Sequence, residues 1–363
     1  CSSDLFLLPS VLVMLGLSTI YALWGQLPLL ASVFWALKPV VVAIVAQAAW
    51  RVGRRTLATP FLLAIAGGAF LALVSGKVPY PLVVGAAALA GLLANRSRPG
   101  WLETPRPRGP STTVSTFATG STSLTDPPPD AVAPPSAPSP EVRPLHDDST
   151  PTPAHARPSR NRLLRALLLS GLALALPLAT LGWLNGWDGP LATMARFFTR
   201  VALLSFGGAY AVLPYVAQGT VDTFGWLSAH QMIDGLALGE TTPGPLIMVV
   251  AFVGFLGGWN QTSSLPFATL AALVVVWFTF LPSFAFILAG GPLVEASRGN
   301  RTLTGPLTAI SAAVTGVIAS LVVRFARPVL WPTGVDGGRM AGAEELDGAA
   351  LALVVVEIGR AHV

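Results

Sequence analysis

An acid inside an apolar stretch is the first feature of this sequence that could do chemistry. Glu240 lies in Asp234-Gly-Leu-Ala-Leu-Gly-Glu240-Thr241-Thr242-Pro243-Gly244-Pro245, between long apolar segments. A carboxylate inserted in a bilayer there costs roughly 2.5–3.5 kcal/mol, and such groups mark pathways, proton relays or buried ion pairs. Pro243, Gly244 and Pro245 interrupt the helical hydrogen-bond ladder. Freed backbone groups at membrane depth are tolerated only where protein buries them or they line a cavity. Pro245 suits the first turn of a new helix, whose amides and dipole would favour an anion. A second break contains Ser205, Gly207 and Gly208, with Pro214 beyond it. Ser205, Thr241 and Thr242 add hydroxyl donors, and a tetrahedral oxyanion needs several converging donors. These residues, with Gly244, form the expected anion site. The competing readings are close helix packing at the glycine pair and a simple turn at Pro243-Gly244-Pro245.

Four further residues carry charge or titrate. Glu240 either couples and gates transport or pairs structurally with Arg200. Asp234 falls nearer the membrane interface and joins Glu240 and Arg200 as a coupling or gating candidate. Lys38 sits in mid-span before Pro39, which predicts a broken helix, and it either counters an anion or snorkels to the interface. His230 reads as interfacial. The single cysteine, Cys1, excludes an internal disulfide and a cysteine metal cluster. No metal and no cofactor is expected.

The elements that must position these residues are membrane helices. Of the 363 residues, 53% are hydrophobic and only 11% charged, and the mean hydropathy is +0.65. A soluble domain carries roughly 25% charge, so an ordinary cytosolic enzyme is excluded. The net charge of +5 does not indicate nucleic acid, because the basic residues flank apolar runs. Apolar runs near span length occur at about 5–24, 29–50, 57–75 and 80–94, then at 163–184, 193–216, 232–258, 265–292 and 303–325. Trp24, Trp50, Trp183, Trp187, Trp226 and Trp259 mark their ends, as interfacial aromatics do. Residues 96–162 hold 15 of the 32 prolines and read as a disordered cytoplasmic linker.

Arginines set the orientation. Arg51, Arg54 and Arg55, the linker arginines, and Arg298 with Arg301 all fall inside if each later run crosses once. Arg324 and Arg327 then fall outside, against the rule. Sliding the first half by 273 residues sets Leu8-Pro9-Ser10 against Leu281-Pro282-Ser283, and 33–46 against 306–319 in hydrophobic register. The loop at 25–28 has no basic residue, its partner at 298–301 has two, and the next loop at 51–55 has three. That pattern fits an inverted-topology repeat.

The run Ser205-Phe-Gly207-Gly208-Ala-Tyr210-Ala-Val-Leu-Pro214, then Gly225-Trp226-Leu227-Ser228, Asp234 to Pro245, and Val253-Gly254-Phe255 closely resembles the chromate ion transporter family. Leu8-Pro9-Ser10 and Leu37-Lys38-Pro39-Val40-Val41-Val42-Ala43-Ile44 are similar to the later part of that family's first half. The resemblance implies an all-α polytopic inner-membrane protein with two homologous helical halves that exports chromate and confers resistance. The halves fall at 1–95 and 163–330, the first lacking the family's opening Ser-Phe-Gly-Gly and Pro-Gly-Pro stretches. Residues 331–363 read as a truncated tail. Its last seven residues back-translate to a string resembling a sequencing-adapter read, as an assembly artefact would give.

The expected function is alternating-access export of an oxyanion, chromate or its sulfate-like equivalents, with the lipid bilayer and a second copy of the chain in a homodimer as partners. An intramembrane hydrolase built on Ser205 would need a nearby base, and none of the four histidines lies clearly within a span. A membrane scaffold would leave Glu240 unexplained.

Overall fold

The computed structural model describes residues 2–76, 78–97, 160–205, 208–296, 301–331 and 347–360. One compact unit comprises residues 1–104 and 159–363, and the second, 105–158, lies outside the described residues, as does the expected linker apart from 96–97 and 160–162, which are helical. Every regular element among the described residues is helical. The first four are α1 (Ser2–Trp24), α2 (Pro28–Thr56), α3 (Pro60–Val74) and α4 (Tyr80–Ser97). After the linker come α5 (Arg160–Asn185), α6 (Pro190–Leu203), α7 (Ala209–Ala217) and α8 (Ala229–Thr241). The chain continues through α9 (Val249–Thr262), α10 (Leu265–Ala296), α11 (Arg301–Leu330) and α12 (Gly348–Arg360). Among the described residues, five helices (α1, α2, α5, α10 and α11) are long and apolar enough to cross a membrane. The α5 face is studded with exposed leucines and with Trp183, 85% exposed, the surface a lipid-facing helix presents.

Local signals start and stop these helices. Pro28, Pro60 and Pro190 each stand at the first helical position, where a missing N–H costs nothing. The Thr59 hydroxyl accepts from the Leu62 amide at 3.3 Å. Ser228 and Gln231 form a reciprocal capping box that starts α8. Ser263, in a left-handed conformation at φ 53°, ends α9.

The runs 193–216 and 232–258 do not cross once each, as the sequence suggested. Each folds back on itself as a helical hairpin. In the first, the Phe197 ring of α6 packs on Tyr215 at 5.3 Å between centroids and lies against Gly219, so α7 returns antiparallel to α6. In the second, Gly235 of α8 faces Phe252 of α9, and Gly239 faces Val249. The arms are 14 and 13 residues long in α6 and α8, roughly 20 Å at 1.5 Å per residue. A bilayer core is about 30 Å thick, so these arms reach part-way in. The tips, 204–208 and 242–248, meet beside Thr279 near the middle of α10. Each hairpin returns to its starting side, so the connections 186–189, 224–228 and 263–264 share one side. The zero crossings of two hairpins leave the count of sides unchanged, and Arg324 still ends on the side expected to be outside.

Several lone prolines fail to break helices, among them Pro9, Pro39 and Pro214. Pro39 lies buried inside an unbroken α2, and Pro214 lies inside α7, which runs on as a π-helical turn over Gln218–Thr223. Pro9 is likewise within α1. Neighbouring helices and local turns re-satisfy the one carbonyl each proline frees, so a lone proline is a weaker break than Pro-Gly-Pro.

The 273-residue offset carries Pro28–Thr56 onto 301–329, within one residue of α11. α2 and α11 pack against each other, α3 packs along α11, and α12 packs along α2. Small residues allow the approach: Gly316 lies directly against the Ala66 backbone, and Gly91 against Gly305.

Candidate functional site

The two hairpin tips enclose a cavity of about 290 Å³. Ser205, Gly208 and Val212 line it from the first tip, Pro245 and Ile247 from the second, and Thr279 with Ser283 from α10. Among the described residues no charged side chain lines it. Two helical N-termini open onto it. Gly208 caps the start of α7, and Pro245 caps a 3₁₀ turn (Leu246–Met248) that leads into α9. The first N–H groups of a helix have no partner within it and carry partial positive charge.

Gly208 has φ +106° and ψ 174°, a region essentially restricted to glycine. A Cβ built there would meet nothing within 4 Å. Close packing is therefore not its role; it turns the chain and leaves bare backbone facing the cavity. Gly207 lies outside the described residues. Gly244 is different, because a Cβ there would overlap the Ser10 hydroxyl of α1. Ser10 also donates to the Pro243 carbonyl at 3.0 Å. The Pro243-Gly244-Pro245 turn is thus clamped by α1 on one side and faces the cavity through Pro245 on the other.

Thr241 and Thr242 are not among the residues lining the cavity. The Thr241 hydroxyl donates to the Ala237 carbonyl at 2.9 Å, one helical turn back, and that of Thr242 lies 3.6 Å from the Met14 sulfur. A threonine at a helix C-terminus finds a carbonyl within its own last turn, which occupies the donor that the sequence assigned to an anion.

Glu240 is half-buried and accepts a very short hydrogen bond from the Tyr210 hydroxyl. This contact ties the second residue of α7 to the end of α8, one hairpin to the other. Arg200 is instead near Tyr215, and Arg51 of α2 lies close enough to Tyr210 to bear on its charge. Among the described residues no ion pair joins Arg200 to Glu240.

Asp234 is buried, only 4% exposed. Lys38 stands 3.4 Å from its Oδ1, and the Tyr21 hydroxyl donates to its Oδ2 at 2.8 Å. Lys38 thus neither snorkels nor faces the cavity; it cross-links α2 to α8. His230, one turn before Asp234, lies within electrostatic reach of both charges. Among the described residues no cluster of three or more His, Cys, Asp or Glu could hold a metal ion.

Tyr21, Tyr210, Thr279 and the clamping Ser10 were not singled out as site residues by the sequence. The repeat supplied one usable signal, since the 273-residue offset pairs Ser10 with Ser283. Both touch the Pro-Gly-Pro turn or the cavity beside it. The tyrosines gave no signal, because a phenol inside an apolar run reads as packing.

The sequence profile of the chromate transporter family matches residues 4–92 and 192–361. The chain belongs to the chromate transporter family. The match includes nearly all of both hairpins, all of α11 and the α12 segment, and it omits the linker and the whole of α5. A probable chromate transport protein of Synechococcus elongatus is 25% identical over 327 residues, which are 90% of this chain and 65% of that protein. The chromate transport protein of Cupriavidus metallidurans is 25% identical over 325 residues, 89% of this chain and 63% of its own length. That of Pseudomonas aeruginosa is 37% identical over 128 residues, 35% of this chain and 28% of its own. The chain therefore spans about two thirds of the length of the first two. No solved structure matches it.

Proposed function

We propose that this chromate transporter family member is a secondary transporter that exports chromate, a compact tetrahedral dianion, across the bacterial inner membrane. The observation that carries this reading is the cavity between the hairpin tips. It offers the Ser205 hydroxyl, bare backbone at Gly208 and two helical N-termini, and no carboxylate lines it to repel an anion. The names of the Synechococcus, Cupriavidus and Pseudomonas relatives support chromate as the substrate.

Energetics favour export. An interior-negative potential drives anions outward by about 2.3 kcal/mol per charge per 100 mV. A dianion therefore gains roughly 4.6 kcal/mol, which at 1.36 kcal/mol per decade exceeds a thousandfold concentration ratio. The membrane potential is sufficient as a driving force. Glu240 with Tyr210, and Asp234 with Lys38 and Tyr21, connect the hairpins to each other and to the first half. They are the contacts that must rearrange if access alternates between the sides, and so the candidates for gating or proton coupling.

Sulfate has the same charge and shape as chromate. The test is chromate accumulation in inverted membrane vesicles holding the full chain, under an inside-positive potential, with sulfate added as competitor. Accumulation that sulfate suppresses only in large excess supports chromate. Equal suppression at equal concentration assigns a general oxyanion carrier, and no accumulation overturns the proposal.

A further inference from the structure

A second pocket, of about 340 Å³, lies away from the hairpin tips. Its walls come from the end of α3, the α7–π segment and the last third of α11. Gln218, Asp222, Arg324 and Arg327 supply its polar groups. Arg324 and Asp222 form a tight ion pair whose side chains remain 32% and 43% exposed. Arg327, one turn further along α11, is exposed beside them. The pocket is therefore open to water, and it carries one more positive than negative charge.

We propose that this pocket is a second oxyanion site, in which Arg324 and Arg327 bind the dianion and Asp222 is the built-in competing anion. It rests on the reading of the chain as an oxyanion transporter and adds a binding station at one end of the path.

Three observations converge on it. The first is the chemistry of the lining. Two guanidinium groups one helical turn apart present fork donors that match a tetrahedral oxyanion, while the single carboxylate already occupies one of them. The second is the repeat. The 273-residue offset places Arg51 on Arg324 and Arg54 on Arg327, so α2 and α11 carry the same Arg-x-x-Arg at the same register. Arg324 and Arg327 are thus the counterparts, on the opposite side, of arginines that the charge rule puts inside. Their expected position outside, unexplained by loop charge, follows if both ends of the path need a basic station. The third is the wall itself. The π turn at 218–223 is of a kind that often occurs at functional sites. Gln218 accepts from the Tyr80 amide at 3.2 Å and donates to the Val78 carbonyl at 3.4 Å. The pocket therefore spans the seam between the first half and the first hairpin.

The test is arginine modification by phenylglyoxal on the full chain in lipid nanodiscs, read peptide by peptide by mass spectrometry. The probes are sulfate and chromate; the control is Arg196, which pairs with Asp188 and does not line the pocket. Sulfate and chromate should slow labelling of Arg327 by about tenfold, as direct charge-assisted contact requires, and leave Arg196 unchanged. Asp222→Asn should lower the sulfate concentration that gives half-protection by about fivefold, because it removes the competitor. A purely structural ion pair gives the opposite result: Asp222→Asn loosens α11, speeds labelling and leaves protection no stronger. Labelling of Arg327 that ignores both anions overturns the proposal. Because the readout is local, it separates from the transport reading. Protection at Arg327 in a chain that accumulates no oxyanion keeps this site and sinks transport. Normal labelling in a chain that does accumulate chromate sinks this site alone.

Discussion

Removing the Lys38 ammonium should destabilise the protein more than removing the whole ion pair. Asp234 is nearly inaccessible, its side chain 5% exposed, and Lys38 approaches it to 3.4 Å. At an effective dielectric of about 20, two unit charges at that separation attract by about 5 kcal/mol. Truncating one partner of such a buried pair costs about 3–5 kcal/mol, because the other charge is left desolvated and alone. Lys38→Met should therefore lower stability by that amount. The charge-assisted hydrogen bond from Tyr21 softens the loss by about 1.5–3 kcal/mol in the protein that keeps its tyrosine. In the double variant Lys38→Met/Asp234→Asn no charge remains, and the amide still accepts from Tyr21. It should recover at least about 2 kcal/mol relative to the sum of the single variants. The assay is reversible unfolding in mild detergent followed by tryptophan fluorescence, with all four proteins in one cycle. Additive losses, with no recovery in the double variant, would show that Lys38 and Asp234 do not touch and would refute this placement of α2 against α8.

Other predictions probe the tips and the topology. Gly208→Ala meets no neighbour but must adopt a glycine-only backbone, so it should cost roughly 1–3 kcal/mol and impair transport, measured by unfolding and by vesicle uptake. Gly244→Ala collides with Ser10, and Ser10→Gly in the same chain should restore part of the lost stability, whereas it should not rescue Gly208→Ala. Tyr210→Phe removes and Glu240→Gln weakens the same contact, so the double variant should transport no worse than the poorer single one; multiplied losses would place them in separate roles. With Cys1 replaced, single cysteines at Asp188, Thr223 and Thr262 should all react with an impermeant thiol reagent from one face, and a cysteine at Ser97 from the other. Labelling of 223 opposite to 188 would restore a membrane crossing in place of the first hairpin.

The breaks were legible because Pro-Gly-Pro and Gly-Gly are strong local signals in a polar-poor context. What followed each break was not. A reversal and a continuation need the same loss of ladder hydrogen bonds, and only tertiary contacts such as Gly235 against Phe252 decide between them. Lone prolines misled for the same reason, since Pro39 and Pro214 are accommodated by neighbours that a sequence does not show. Charged residues revealed their cost but not their partners. Glu240 drew attention by its apolar context, yet its partner is Tyr210 rather than Arg200. Asp234 is the more deeply buried of the two acids, because Lys38, far away in sequence, comes to meet it. The repeat register located α11 from α2 and hinted at Ser283, while the hydroxyls of Thr241 and Thr242 turned inward to carbonyls of their own helix.

The most direct test of the central claim is chromate uptake into inverted vesicles by the wild-type chain beside Ser205→Ala and Glu240→Gln, each confirmed to be inserted at equal amounts. If the cavity between the hairpin tips is the oxyanion path, the wild-type chain accumulates chromate under an inside-positive potential and both variants fall well below it. Wild-type uptake that both variants match would contradict the account.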